Sequence, residues 1–449
     1  MIHKFSLNGY NIVLDVYSGA VHVLDDIAFK AVEYIENFSE DKALSMLAGE
    51  FNKEDAGEVL TEVKQLIVQG LLFSEDPYKE YSKIESKSYI VKSLCLNIAH
   101  DCNLRCEYCF ASKGDFGGSR SLMSYEIASK AIDFLLVNSG NRKNLEVDFF
   151  GGEPLLNFDV VKRVIEYARK REKEFNKTIK FTLTTNAVLL TEEIRDFINK
   201  NIDNIVLSID GRKEVNARVR YRVDNSGTYD DILTSIKETA VSREQNNYYA
   251  RGTFTRYNLD FSKDVLHLAD QGFKQISVEP VVAGEDKEYA LRAEDIETIS
   301  KEYEKLAVEY IKRRKEGKGF NFFHFEMDLN NGPCVAKRVK GCSAGDEYLA
   351  ITPEGDIYPC HQFVGNEEFR LGNVSDSILE DNIRMEFRNT NIFTKDKCKD
   401  CWTKFYCSGG CAANAWQFNK DIKVPYELGC ELQKKRVECA LMIQAVFCE

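Results

Sequence analysis

The sequence predicts an α/β protein built on a partly closed parallel barrel of six strand–helix units, with a small module before it and a cysteine-rich segment after it. Three observations carry that expectation. From about Leu94 to Pro280, short apolar strands alternate with amphipathic helical stretches, the signature of a parallel sheet. The first 76 residues place three short strands ahead of three helical patterns. Residues 330–449 hold ten of the fourteen cysteines and little regular periodicity.

In the first segment, "MIHKFSL", "NIVLDVY" and "AVHVLD" read as strands, with turn signals at "NGY" and "SGA". Helices are expected at about 26–38, 40–49 and 54–70, the last stopping at Gly70. Strands followed by helices in so short a span suggest a winged-helix-like unit over 1–76. The polar stretch "SEDPYKEYSKIESKSY" reads as the linker out of it, bounded here as 77–90. The barrel is assigned to 91–310 and the cysteine-rich domain to 311–449. Barrel strands are read at "SLCLNIA", "LEVDFFGG", "KFTLTTN", "NIVLSID", "ARGTFTR" and "QISVEP". Barrels of this kind place their chemistry at the C-terminal ends of the strands.

A chain of 449 residues exceeds one ordinary core and implies two or three domains. No run of about eighteen apolar residues suggests a membrane span. The N-terminus lacks the charged-then-apolar pattern of a signal peptide, which places the protein in the cytoplasm. A net charge of −12 speaks against a nucleic-acid surface. Residues 1–76 alone carry five lysines, no arginine and fourteen acidic groups, or 5 − 14 = −9. That bias means a solvated acidic face or a dock for a basic partner segment.

In a reducing compartment fourteen cysteines point to metal rather than disulfides. Cys95, Cys439 and Cys448 stand apart and read as small buried hydrophobes. Cys102, Cys106 and Cys109 follow the first barrel strand directly, in the stretch "HDCNLRCEYCF". A structural zinc site takes four ligands and a disulfide two. Three thiols make sense if a four-iron cluster leaves one iron free for a non-protein ligand.

The C-x3-C-x2-C spacing closed by Phe110 resembles the radical S-adenosylmethionine (SAM) superfamily. There the open iron chelates the SAM amino and carboxylate groups, and reductive cleavage yields a 5′-deoxyadenosyl radical. "GGEP" ends the second strand, and the resemblance assigns Gly151, Gly152, Glu153 and Pro154 to the SAM amino group. "TTN" ends the third strand and contributes Thr185 and Asn186. "SIDG" ends the fourth and contributes Ser208 and Asp210; Arg220 follows. Ser208 and Arg220 are expected at the SAM carboxylate or ribose. Family members often show His-Asp where this chain has Asn216-Ala217.

A second field runs Cys342, then Gly355-x4-Cys360, then Cys398-x2-Cys401-x5-Cys407-x3-Cys411, then Cys430. These seven resemble the SPASM extension, which implies two auxiliary four-iron clusters and three clusters in all. The expected allocation gives Cys398, Cys401, Cys407 and Cys430 to one cluster. Cys342, Cys360 and Cys411 supply three ligands to the other, with Cys334 a candidate fourth. An open iron there would hold a substrate thiol as thiolate; a closed cluster would only carry electrons.

The N-terminal module resembles elements that bind the leader of ribosomally made peptides as an added strand, here beside about Ala20–Leu24. Together the three segments resemble thioether-forming peptide maturases (sactionine synthases), of the type acting on six-cysteine (SCIFF) peptides. The implied substrate is a cysteine-rich precursor peptide, the product a sulfur–carbon crosslink, and an external electron donor is required. Carbon–carbon crosslinking and formylglycine-type dehydrogenation share the barrel and the cysteines. A non-catalytic iron–sulfur scaffold would have no use for GGEP, Ser208 and Arg220.

Overall fold

The computed structural model describes every residue except 81–89, 328, 330–334, 377–378 and 449. Most of the expected linker, and Cys334, lie outside the described residues.

Ile2–Leu7 (β1), Tyr10–Asp15 (β2) and Val21–Leu24 (β3) form an antiparallel sheet in that order, which leaves β3 at the edge. The β1–β2 turn puts Asn8 and Gly9 at φ 51° and 85°, the pair of positive values a two-residue hairpin needs. Helices Asp26–Asn37 (α1), Glu40–Glu50 (α2) and Lys53–Val68 (α3) follow. Asp25 caps α1 by accepting from the Ala28 amide, and Asn52 caps α3 by accepting from Glu54. Val13, Val32, Leu47, Leu60 and Val63 make this unit's core.

Ser93–Ala99 (β4), Asn144–Gly151 (β5), Thr178–Thr185 (β6), Asn204–Ser208 (β7), Tyr248–Phe254 (β8) and Gln275–Pro280 (β9) pair in parallel, in chain order. Helices Tyr125–Asn138 (α4), Phe158–Glu174 (α5), Glu192–Asn201 (α6), Lys213–Val219 (α7), Tyr229–Ser242 (α8), Ser262–Asp270 (α9) and Ile296–Lys315 (α10) accompany them. Alternation along each strand separates the two faces of the sheet. Leu145, Val147 and Phe149 of β5 and Ile179, Phe181 and Leu183 of β6 are buried in the main core. Burying each such side chain is worth about 1.5–3 kcal/mol. Asp148, Phe150, Thr182, Thr184 and Ser208 occupy the opposite face, which forms the barrel lumen. In α5, Val161, Val164, Ile165 and Ala168 recur at helical spacing and cover the sheet.

The sheet is larger than the six strands the sequence predicts. Asn321–Phe322 (β10) pairs in parallel with β9, and Tyr348–Ile351 (β11) in parallel with β4. Asp356–Tyr358 (β12) and Gly372–Asn373 (β13) continue antiparallel beyond β11. The cysteine-rich segment is therefore stitched to the barrel through the strand that carries the first cysteine loop. It also contributes most of an apolar cluster shared with Cys95, Ala111 and Phe116 of the barrel, in which Phe363, Phe369, Phe387 and Trp416 meet edge to face or tilted. The weak periodicity read in residues 330–449 gave no sign of that cluster, because its aromatics follow no helix or strand period.

A C-terminal helix, Glu427–Cys448, packs on α10 and on the N-terminal sheet. The His3 ring of β1 stacks on Trp402 at 3.5 Å between centroids and bonds Glu438 of that helix at 3.1 Å. Lys404, almost fully buried, pairs with Asp76 at 3.4 Å. Cys95 and Cys439 are buried among apolar neighbours, in line with their reading as small hydrophobes.

Candidate active site

The loop after β4 presents Cys102, Cys106 and Cys109 at the C-terminal mouth of the barrel. Backbone bonds to residues 219–221 fix it: the Arg105 amide donates to the Tyr221 carbonyl (2.8 Å) and the Glu107 amide to Val219 (2.9 Å). The Arg105 guanidinium donates to the Cys102 and Leu104 carbonyls at 2.6 and 2.7 Å. Burial pushes the Cys102 thiol up to about 12 and the Cys106 thiol up to about 11. Thiolates here need a cation to replace the proton, as iron ligation does.

GGEP lies against this loop. A Cβ on Gly151 would stand 2.3 Å from the Ala99 carbonyl oxygen, and one on Gly152 would stand 2.1 Å from that of Asp101. In their place the Gly152 amide donates to Ala99 (2.8 Å) and the Glu153 amide to Asp101 (2.9 Å). Gly152→Ala must therefore displace either the end of β5 or the loop bearing Cys102. We expect it to lose about four irons per chain and SAM binding while auxiliary iron stays; unchanged iron in the purified variant would contradict this packing.

Glu153 is fully buried. Its carboxylate accepts from the Leu155 amide (3.0 Å), the Thr185 hydroxyl (2.8 Å) and the Asn186 amide (2.8 Å). Burial raises its pKa and these donors oppose the rise. A carboxylate offers about four acceptor positions, so one remains for an ammonium donor. Pro154 starts the short turn Pro154–Asn157 that leads into α5. The Asn186 side-chain Nδ2 donates to Asn103 Oδ1 at 2.8 Å and approaches the Cys102 sulfur at 3.7 Å, joining the end of β6 to the cysteine loop.

On the far side, Asp210 is fully buried and accepts from the Tyr108 hydroxyl (2.7 Å) and the Thr253 amide (3.0 Å). Arg220, 6% exposed, donates to the Tyr108 hydroxyl at 3.0 Å and stands 3.9 Å from Asp210. Tyr108 was not among the sequence-predicted residues. Its only sequence signal is its place between Cys106 and Cys109. Asn216, at the position departing from the family pattern, accepts from the Asp210 amide at 3.2 Å and so supports the network from behind.

Arg220 Nε is buried with no hydrogen-bond partner. An orphaned guanidinium N–H on one side and the Glu153 carboxylate with an acceptor position to spare on the other make the donor–acceptor set an amino acid's carboxylate and ammonium require, and SAM carries both groups. Ser208 ends β7, half-buried, opposite Arg251 of β8. Phe110, 49% exposed, stacks with Phe150 at 6.2 Å and meets Phe116 edge-on at 6.0 Å, giving the mouth an apolar wall.

In the second field, Cys398, Cys401, Cys407 and Cys430 line one cavity of about 250 Å3. Cys342 lines a smaller neighbouring cavity with Lys395 and Gly410. Burial raises the Cys360 thiol, and Cys411 and Cys342 lie near enough to raise it further. Among the described residues no three His, Cys, Asp or Glu side chains converge on a single ion position. A four-iron cluster takes each thiolate on its own iron, so its ligands stand farther apart than those of one zinc ion.

Comparison with known proteins spans the first field and part of the second. Residues 96–241 match the profile of the radical SAM superfamily, and residues 342–402 match the SPASM iron–sulfur cluster-binding domain. The chain carries a radical SAM domain and a SPASM domain. The first implies SAM and a four-iron cluster, the second auxiliary iron–sulfur clusters.

Among relatives, the radical SAM cyclopropyl synthase TigE of Paramaledivibacter caminithermalis is 24% identical, over 95% of this chain and 91% of its own length. The cysteine-type anaerobic sulfatase-maturating enzyme of Clostridium novyi is 24% identical, over 74% of this chain and 89% of its own. The fold resembles native anSMEcpe with bound AdoMet and Kp18Cys peptide (TM-score 0.66, 21% identity, 79% of this chain and 98% of that one). It also resembles Streptococcus suis SuiB bound to precursor peptide SuiA (TM-score 0.52, 18% identity, 94% and 97%). No described helix is long and apolar enough to cross a membrane.

Proposed function

We propose that this protein installs a thioether between a cysteine sulfur and a carbon of another residue in a ribosomally made, cysteine-rich precursor peptide. The observation that carries this reading is the division of the auxiliary cysteines. Four of them share one cavity, which leaves Cys342, Cys360 and Cys411 as a separate set of three. Three protein thiolates leave a cluster room for a fourth, from the peptide. Cys334 belongs to the undescribed residues, and whether it completes that set is read from the variant below.

When bound, the first cluster and SAM supply a 5′-deoxyadenosyl radical, the hydrogen-atom abstractor of this superfamily. Cys102, Cys106 and Cys109 hold that cluster. Glu153 takes the SAM ammonium in its remaining acceptor position, and Arg220 Nε takes the carboxylate, with Ser208 beside it. Tyr108 and Asp210 hold the guanidinium in place. Phe110 and Phe150 give the mouth an apolar wall, and Gly151, Gly152, Pro154, Thr185 and Asn186 shape the cradle. In the peptide one C–H and one S–H would give way to one C–S bond: the carbon's hydrogen atom would leave with the deoxyadenosyl group as 5′-deoxyadenosine, the thiol proton would go to solvent, and the remaining electron would leave through the auxiliary clusters.

The N-terminal unit fits a peptide-recognition module. The Asp15 amide donates to the Ala20 carbonyl at 2.9 Å, and the register pairs Val13 with His22 and Asn11 with Leu24. By the antiparallel alternation, Val21 and Val23 turn their backbone groups to the free edge. A leader strand would pair there. Val23→Pro removes one outward N–H and leaves the β2 ladder whole; we expect leader affinity to fall at least tenfold (about 1.4 kcal/mol) with the melting temperature unchanged. Unaltered affinity by fluorescence anisotropy would place the leader elsewhere.

A carbon–carbon crosslink is the second reading, favoured by the likeness to a cyclopropyl synthase across 95% of the chain. The deciding experiment incubates a cysteine-rich precursor peptide anaerobically with reconstituted enzyme, SAM, reductant and either wild-type protein or Cys334→Ser. Peptide mass is taken before and after thiol alkylation. Loss of two hydrogens with one fewer alkylatable cysteine establishes the thioether. The same loss with every cysteine alkylatable establishes carbon–carbon bonding or dehydrogenation. Activity kept by Cys334→Ser leaves the three-cysteine site open as proposed.

A further inference from the structure

Lys395 is 4% exposed, and its ammonium donates to the Gly409 carbonyl at 2.7 Å. Gly409 lies in the loop that joins Cys407, of the four-cysteine set, to Cys411, of the three-cysteine set. Gly409 also lines the four-cysteine cavity, while Lys395 itself lines the smaller cavity beside Cys342. The side chain thus stands in the partition between the two sets. A Cβ added to Gly409 would sit 3.6 and 3.7 Å from Lys395 Cδ and Nζ, so the loop packs directly on the lysine.

The lysines around the larger cavity are paired with carboxylates: Lys397 with Glu427 (3.2 Å), Lys404 with Asp76 (3.4 Å) and Lys434 with Glu431 (2.7 Å). Lys395 forms no ion pair with a carboxylate among the described residues. Burying an ammonium without a counter-ion is strongly unfavourable. Cysteine sulfurs of both sets lie near enough to act on it: burial lowers its pKa, while Cys398, Cys407, Cys411 and Cys342 act to raise it, and as cluster ligands these sulfurs would be anionic. An ammonium has three donors, and one is spent on Gly409.

We propose that Lys395 is the counter-cation shared by the two auxiliary clusters, setting the reduction potentials of both from the wall between them. The proposal rests on reading these seven cysteines as cluster ligands. Thiolate-ligated clusters are anionic, and their potentials rise with nearby positive charge and with hydrogen bonds to sulfur. One cation facing two clusters moves both in the same direction. The paired lysines, neutralised locally, have less to contribute.

The test is an EPR-monitored redox titration of the full-length reconstituted protein, with iron determined per chain, in wild type, Lys395→Gln, Lys395→Met and Lys395→Arg. Glutamine keeps a donor for Gly409 and discards the charge; arginine keeps the charge. We expect both neutral variants to lower the two auxiliary potentials together. At a fixed potential the reduced-to-oxidised ratio should fall at least tenfold, about 59 mV for a one-electron couple. Arginine should stay within about threefold of wild type, and the signal that responds to added SAM should not move.

Full iron with neither auxiliary potential shifted, or with only one shifted, overturns the proposal, as does an equal shift in the arginine variant. Should neither neutral variant retain auxiliary iron, retention by Lys395→Arg supports the charge requirement and its loss there overturns it. Wild-type protein that binds only about four irons would instead overturn the assignment of the seven cysteines, and the proposal with it.

Discussion

Replacing Cys102, Cys106 and Cys109 together by alanine is expected to abolish SAM cleavage and to remove about four of about twelve irons per chain. The protein should still fold. The three side chains are only half-buried, and the loop that carries them is held by backbone contacts to Val219 and Tyr221 and by the Arg105 guanidinium, none of which involves sulfur. No auxiliary cysteine lies in this loop, so auxiliary iron should survive and give an internal standard for the measurement. Three readouts bear on it: iron per chain, 5′-deoxyadenosine formed under reductant, and the melting temperature. Unchanged iron would sink the assignment of the loop. Loss of all iron together with folding would show that the first site also holds the cysteine-rich domain in place, through the β4–β11 pairing.

The parts of this architecture legible in the sequence are those written in short-range periodicity or spacing. β4 and β9 fall on the residues the alternation predicts, Ser93–Ala99 and Gln275–Pro280. The three helices of the N-terminal unit also fall within a few residues of their expected spans. Strands β10 to β13 were not legible: at two to four residues each they are too short to show a period. Their place in the barrel sheet depends on pairing with strands far away in the chain. The same distinction runs through the site. Cysteine spacing is local and was read directly, whereas the Tyr108–Asp210 and Tyr108–Arg220 bonds span 102 and 112 residues. Sequence named two of those three residues through motif resemblance and overlooked the one between two cysteines. The docking of His3 on Trp402 was beyond reach for the same reason, since nothing local to either residue signals the other.

Arg220→Met is expected to raise the Kd for SAM at least tenfold, about 1.4 kcal/mol, and to destabilise the fold as a separate effect. The two losses have different origins in one side chain. Stability falls because Asp210 would stay buried with the Tyr108 hydroxyl and the Thr253 amide but without its cation. Removing one partner of a buried charge pair costs about 3–5 kcal/mol. Affinity falls because Nε, unpartnered in this structure, would no longer be there for a carboxylate. The double variant Arg220→Met/Asp210→Asn separates them: with no buried anion left, most of the melting temperature should return, while SAM affinity stays low. Arg220→Lys keeps the charge but replaces a planar fork by a single point donor, which cannot hold Tyr108 and a ligand carboxylate in the same geometry. It should therefore keep more stability than affinity. If the double variant regained both stability and SAM binding, the guanidinium would be a packing element only, and the SAM carboxylate would have to sit against other donors at the barrel mouth.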